Sequence, residues 1–187
     1  MSSLIISPNV LDIASDDDPY LRIRASEVDT QNIADNVELQ QLIADMIVTM
    51  HSAKGIGLAA PQVRRSLRMM VFYLPASRDD VCGRGVPLTV LINPVINFPS
   101  QDCNKVVDFE GCLSVPGMRG KVARANKIQY SGVDEHGQSI NREAEGWHAR
   151  LIQHEYDHLE GILYTDLMDT DDALLTVDEW RTLMRQT

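Results

Sequence analysis

The chain has 187 residues, enough for one domain with a full core and too few for two of ordinary size. A net charge of −10, from 17 basic and 27 acidic residues, excludes a nucleic-acid-binding body, which needs clustered Lys and Arg to neutralise phosphates. No run approaches the roughly 20 apolar residues that span a bilayer, so no membrane association is expected. Three cysteines, Cys82, Cys103 and Cys112, cannot all pair, which argues against a disulfide framework.

Residues 1–11 carry no Lys or Arg and are interrupted by Pro8; they do not read as a signal peptide, and a cytoplasmic location is expected. Residues 14–19 form a polar entry loop. Leu39, Leu42, Ile43, Met46, Ile47 and Met50 recur at helical spacing and predict a helix over 37–53. Asp35 with Glu38 would cap its start, and Gly55 would follow its end. Residues 69–74, 89–92 and 127–133 are rich in β-branched, aromatic and other apolar side chains and predict strands, with a polar loop over 75–87 between the first two. A turn at 134–137 leads to a short strand over 138–142. A second helix is expected over 147–159, ended by Gly161, and a last one over 177–185, started by a capping box of Thr176 and Glu179. Strands and helices are segregated rather than alternating, which points to an α+β fold.

The most informative stretch is His154-Glu155-Tyr156-Asp157-His158. Residues four apart share one helix face, so the two imidazoles can grip one metal ion while Glu155 stands beside it as a proton carrier. A solvated face that happens to carry two histidines would give the same pattern. Asp157 is either an orienting partner for an imidazole or a surface charge. A catalytic metal takes three protein ligands and leaves one position open. Cys112, in the Gly- and Pro-bounded run Glu110-Gly111-Cys112-Leu113-Ser114-Val115-Pro116, is the better third ligand, because that run can present a thiolate at a bend. Cys82 and Cys103 read as incidental thiols. The alternative is a zinc peptidase with Glu179, 21 residues downstream, as third ligand. A non-enzymatic reading closes the site with His148 or Cys103 as fourth ligand.

Gly55-Ile56-Gly57-Leu58-Ala59-Ala60-Pro61-Gln62, the run from Glu110 to Pro116, and Gln153-His154-Glu155-Tyr156-Asp157-His158-Leu159 resemble the three signature motifs of bacterial peptide deformylase, in order and at compatible spacing. With Pro19-Tyr20-Leu21-Arg22 near the start, the resemblance runs to about residue 166, and a single catalytic domain over 1–187 is expected. It implies antiparallel sheets packed around a central helix that carries the His-Glu-x-x-His motif. It also implies hydrolysis of the formyl group from the N-terminal formylmethionine of new polypeptides, releasing formate. Cys112, His154 and His158 match the family's ligands for one divalent metal, most often Fe²⁺, with Ni²⁺, Co²⁺ or Zn²⁺ able to substitute. Glu155 matches its catalytic carboxylate, and Gln62 with the Leu113 N–H its oxyanion-stabilising pair.

The substrates would be N-formylmethionyl peptides, lying as a short strand against Ile56, Gly57 and Gly111. Ile56, Trp147 and Leu151 match the apolar pocket for the methionine side chain. Residues 166–187 hold two basic and six acidic side chains, so docking on the ribosome through a basic C-terminal helix is not expected. A monomer is.

Overall fold

The structure, a computed structural model, describes residues 7–99 and 104–186. Leu39, Leu42, Ile43, Met46 and Met50 do lie on one buried face of a helix, α1 (Val37–Ser52). Its cap differs from the expectation. Asp35 is spent in a preceding 3₁₀ turn, and the Asn36 side chain accepts the Leu39 N–H at 3.1 Å instead. At the other end Lys54, with φ 56°, makes the left-handed turn that Gly55 was expected to make.

A short strand, β1 (Gly57–Ala59), and a 3₁₀ turn over Ala60–Val63 lead into β2 (Met69–Leu74) and the long β3 (Val86–Asn97). Successive β2 side chains point to opposite faces, and both faces are covered. Met69 and Val71 join the cluster packed on α1, whereas Met70, Phe72 and Leu74 join the cluster packed on the second long helix. An unbroken apolar run is what a strand buried on both sides requires. Strands β4 (Lys105–Cys112) and β5 (Val115–Ala125) form a hairpin, followed by β6 (Lys127–Val133), β7 (Ser139–Glu145) and α2 (Gly146–Leu159). Gly161, at φ 76°, turns the chain away after α2. The chain ends with β8 (Leu175–Thr176) and α3 (Val177–Met184), whose Thr176–Glu179 capping box is present.

All strand pairings between these elements are antiparallel. One sheet has five strands in the order β1-β2-β3-β6-β7, the other three in the order β4-β5-β8. Helix α2 touches strands of both sheets and so sits between them. Gln153 fixes it there: its amide donates to the Ala125 carbonyl at 2.8 Å and accepts the Ala125 N–H at 3.1 Å, where the chain passes from one sheet to the other. The fold is the expected α+β arrangement around the helix bearing the His-Glu-x-x-His motif.

Candidate metal centre

His154 and His158 stand one turn apart on α2, both buried, with ring centroids 5.2 Å apart. The β4–β5 hairpin brings the third group. Its register shifts between Glu110 and Cys112, and Cys112 already pairs with Val115 across a tight turn that aims the sulfur at the helix. The Cys112 Sγ lies 3.2 Å from His158 Nε2. Donor atoms of Cys112, His154 and His158 all fall within 4.8 Å of one another, and among the described residues they form the group able to hold a metal ion. Burial pushes the Cys112 thiol up, but the His158 and His154 imidazoles outweigh it and hold the thiol well below its usual range. The Ser114 N–H and the Gln62 Nε2, each 3.4 Å away, also donate to the sulfur.

Glu110, two residues before Cys112, sets the electrostatics. Its Oε2 lies 2.8 Å from His154 Nδ1, so that ring nitrogen is engaged and Nε2 is left for an ion. Burial would raise the Glu110 carboxyl, yet hydrogen bonds from His154 and Arg124 keep it ionised, far below the carboxylate range. Arg124 grips it through two nitrogens, at 2.8 and 3.0 Å, and Arg150 donates to it at 2.7 Å. His154 is correspondingly drawn toward the charged form: burial opposes this, and hydrogen bonds to Cys112 and Glu110 prevail. A thiolate and a carboxylate thus favour positive charge between them, and a divalent cation fits that field.

Glu155 faces the same space. A Cβ on Gly57 would collide with its carboxylate, so glycine is what lets β1 and this side chain share the position. Its Oε2 is buried and has no hydrogen-bond partner among the described residues. Burial raises its pKa to about 7, against the pull of His154 and His158. Gln62 is buried in the 3₁₀ turn after β1; its Oε1 accepts the Ala59 N–H at 2.9 Å, and its Nε2 reaches Ser114 Oγ at 3.1 Å as well as the Cys112 sulfur. The Leu113 side chain lies against Gly55, joining the first motif to the second.

The sequence matches the polypeptide deformylase family over residues 10–173. The chain belongs to that family. A peptide deformylase of Ralstonia nicotianae is 50% identical over 127 residues, 68% of this chain and 71% of the relative. One of Pseudomonas putida is 48% identical over 134 residues, 72% of this chain and 74% of the relative. Among solved structures, the Synechococcus elongatus peptide deformylase in complex with actinonin superposes with a TM-score of 0.74 at 39% identity, covering 86% of this chain and 80% of that one. The Acinetobacter baumannii peptide deformylase with Met-Ala-Ser bound gives 0.76 at 32% identity, covering 87% and 100%. The chain is therefore an enzyme of the peptide deformylase type, a hydrolase that removes the formyl group from newly made polypeptides.

The deformylase assignment and the geometry together correct several expectations. Glu179 is exposed and bound to Thr176 at the start of α3, so it is not a third ligand and the peptidase alternative falls. His148 bonds the Tyr130 hydroxyl at 3.1 Å and lies outside the donor group, which removes it as a fourth ligand. Cys103 lies outside the described residues. Cys82 is an exposed thiol bonded to Asp79. Asp157 does not orient an imidazole; it pairs with Arg124, and Glu110 takes the orienting place. Ile56 and Trp147 are half-buried and pack on the cluster that contains Leu151. Trp147 also lines a small cleft with Asp80, Val106, Asp108, Arg124 and Arg150. Sequence reasoning missed the roles of Glu110, Arg124 and Arg150. An arginine four residues before His154, on the inward face of α2, was the available signal for the last.

Proposed function

We propose that Cys112, His154 and His158 hold one divalent metal, Fe²⁺ in the native enzyme, and that Glu155, Gln62 and Leu113 carry out deformylation around it. The observation that carries this reading is Glu155, a buried carboxylate with a free oxygen, pressed against Gly57 and beside the three donor groups. The metal, when bound, supplies a Lewis acid that lowers the pKa of water and polarises a carbonyl. A thiolate with two imidazoles suits a soft to borderline ion such as Fe²⁺, Co²⁺, Ni²⁺ or Zn²⁺.

Glu155 takes a proton from the attacking water and returns it to the leaving amine nitrogen, a shuttle suited to a carboxyl poised at about 7. Negative charge gathers on the former formyl oxygen, where the Gln62 Nε2 and the Leu113 N–H donate to it. Ser114 Oγ and the Ala59 N–H hold the Gln62 amide in one orientation before substrate arrives, which lowers the reorganisation the reaction must fund. The peptide lies as an added strand along Ile56, Gly57 and Gly111, with the methionine side chain against Ile56, Trp147 and Leu151. Residues 1–187 act as one catalytic domain, monomeric and cytoplasmic.

A formyl carbon bears only hydrogen, so the site can close tightly around it, whereas an acetyl methyl must fit among Gln62, Leu113 and Gly57. A misplacement of about 1 Å at such a site costs on the order of 100-fold in rate. Formyl-Met-Ala-Ser should be cleaved well, acetyl-Met-Ala-Ser and an internal peptide bond hardly at all, in kcat/KM on anaerobically purified protein. Comparable rates on all three would reject the reading. Activity that is stable in air and tracks zinc content alone would reject the iron assignment while leaving the mechanism standing.

A further inference from the structure

Gln62 is held by more than the groups around its amide. Ser114 and Ala59 fix its side chain, whereas its main-chain carbonyl accepts the Ala14 N–H at 2.8 Å, from a segment far earlier in the chain. Ala14 is fully buried and packs with Leu21 and Leu163 in a small apolar cluster of their own. Before it, the Asn9 N–H donates to Asp45 Oδ1 at 2.7 Å and the Leu11 N–H to Thr49 Oγ1 at 2.9 Å, which lays this segment along α1. After it, Asp18 joins two turns. Its Oδ1 accepts the Tyr20 N–H at 2.9 Å and caps a 3₁₀ turn over Pro19–Arg22; its Oδ2 meets Arg64 Nε and Nη2, each at 2.8 Å. Arg64, left-handed at φ 57°, closes the 3₁₀ turn over Ala60–Val63 that carries Gln62. Further on, the Ala25 N–H donates to the carbonyl of Leu159, the last residue of α2, at 2.8 Å. Residues 14–25 thus reach from the Gln62 turn to the end of the helix that bears His154 and His158.

We propose that residues 14–25 are a brace that sets the spacing between Gln62 and the α2 helix, with the Asp18–Arg64 pair as the joint that locks it. The inference rests on the reading of Gln62 as an oxyanion donor. A four-residue 3₁₀ turn has few internal hydrogen bonds to resist displacement, so the groups that grip it decide where it lies. An oxyanion donor must stand within about 2.7–3.1 Å of the oxygen it serves, and a shift of a few tenths of an ångström takes it out of that window. Asp18 and Arg64 are therefore positioning residues, acting through Gln62. The Arg64 side chain is 47% exposed, so breaking the pair costs little stability. A loss in kcat on breaking it is then separable from unfolding. If the segment served only to cover the core, its weakening would lower stability and leave the turnover of folded enzyme unchanged.

The test uses the full-length, metal-containing enzyme and formyl-Met-Ala-Ser, and reads kcat, KM, metal per chain and the urea midpoint. Asp18→Ala should lower kcat by about three- to tenfold with KM and metal content unchanged, because an oxyanion donor acts in the transition state. Asp18→Asn still accepts from the Tyr20 N–H and from Arg64, and should recover most of the loss. Arg64→Asn, which tolerates the left-handed turn and loses the ion pair, should lower kcat similarly, and the double variant no more than Asp18→Ala alone. In the Gln62→Ala background, Asp18→Ala should change kcat by less than about twofold. Should Asp18→Ala fail to fold, Arg64→Asn in both backgrounds carries the same test. An Asp18→Ala loss that persists in full on top of Gln62→Ala, a lowered urea midpoint with kcat intact, or an effect confined to KM or metal content would each overturn the proposal. Wild-type kcat in Gln62→Ala itself would instead sink the oxyanion reading on which the brace rests.

Discussion

Two carboxylates one residue from a metal-ligand candidate on α2 and two residues from one on β4 end up with opposite characters, and their neighbours decide which. Glu110 faces Arg124, Arg150 and His154 and stays ionised, whereas Glu155 is paired with no Lys or Arg among the described residues and burial raises its pKa to about 7. Distinct losses should follow. Glu155→Gln should keep its metal and fold while kcat falls by about 10²- to 10⁴-fold, since only the proton shuttle is removed. Glu110→Gln should instead weaken metal binding by about 10- to 100-fold, because the His154 ring loses its anionic partner. It should also destabilise the fold by roughly 3 kcal/mol or more, having left two buried guanidiniums short of charge. Metal content per chain and urea denaturation separate the two cases; normal metal retention in Glu110→Gln would refute its orienting role. Cys112→Ala should lose both metal and activity, and Cys82→Ala, whose thiol is exposed and bonded to Asp79, should lose neither. Full metal occupancy in Cys112→Ala would remove that residue from the ligand set.

At the scale of elements, α2 does two jobs with two faces of one sequence. Ala149, Leu151, Ile152 and Leu159 pack on the five-stranded sheet, and Arg150, His154 and His158 turn toward the β4–β5 hairpin. Near its start His148 lies against Tyr130 and Phe72, and burial, with the nearby Arg142 charge, pushes its pKa down to about 4. A histidine depressed in the folded state binds its proton more readily when unfolded. Its contribution to stability is therefore complete above about pH 6.5 and is lost as pH falls toward 4. Partial exposure and solvent screening hold this to roughly 2 kcal/mol. Urea titrations at pH 7 and 4.5 should show the wild-type enzyme losing that much more stability than His148→Gln; equal losses would show that His148 does not drive the change.

The same faces explain what could be read in advance. Helices α1 and α2 and strands β2 and β6 were legible because their apolar periodicity is carried by one uninterrupted local run. Strands β4 and β5 were not: Lys105, Arg119, Lys121 and Arg124 break the apolar pattern, and their pairing is fixed across the hairpin rather than within either strand. The three donor residues and Glu155 were visible through helix spacing and motif. Glu110, Arg124 and Arg150 were not assigned, since a buried ion network satisfies itself only after β4, β5 and α2 have met.

For the whole molecule the unevenness of charge matters more than its sum. The chain carries −10 overall, and residues 166–187 contribute two basic side chains against six acidic ones, a net of −4. That segment meets the rest of the chain through its start: β8 pairs with β5, and Trp180 of α3 lies over Arg119, while Leu183 and Met184 are exposed. A tail that binds ribosomal RNA needs several Lys or Arg to displace counterions, and affinity then falls steeply with salt. Here Arg181 is paired with Asp178, and Arg185 stands at the C-cap of α3. We expect no co-sedimentation with ribosomes at physiological salt, and no change in any residual association when residues 174–187 are removed. Binding that is strong at low salt, decays with a slope of several counterions and disappears with that deletion while the metal centre stays loaded would reverse the conclusion and give α3 a docking role.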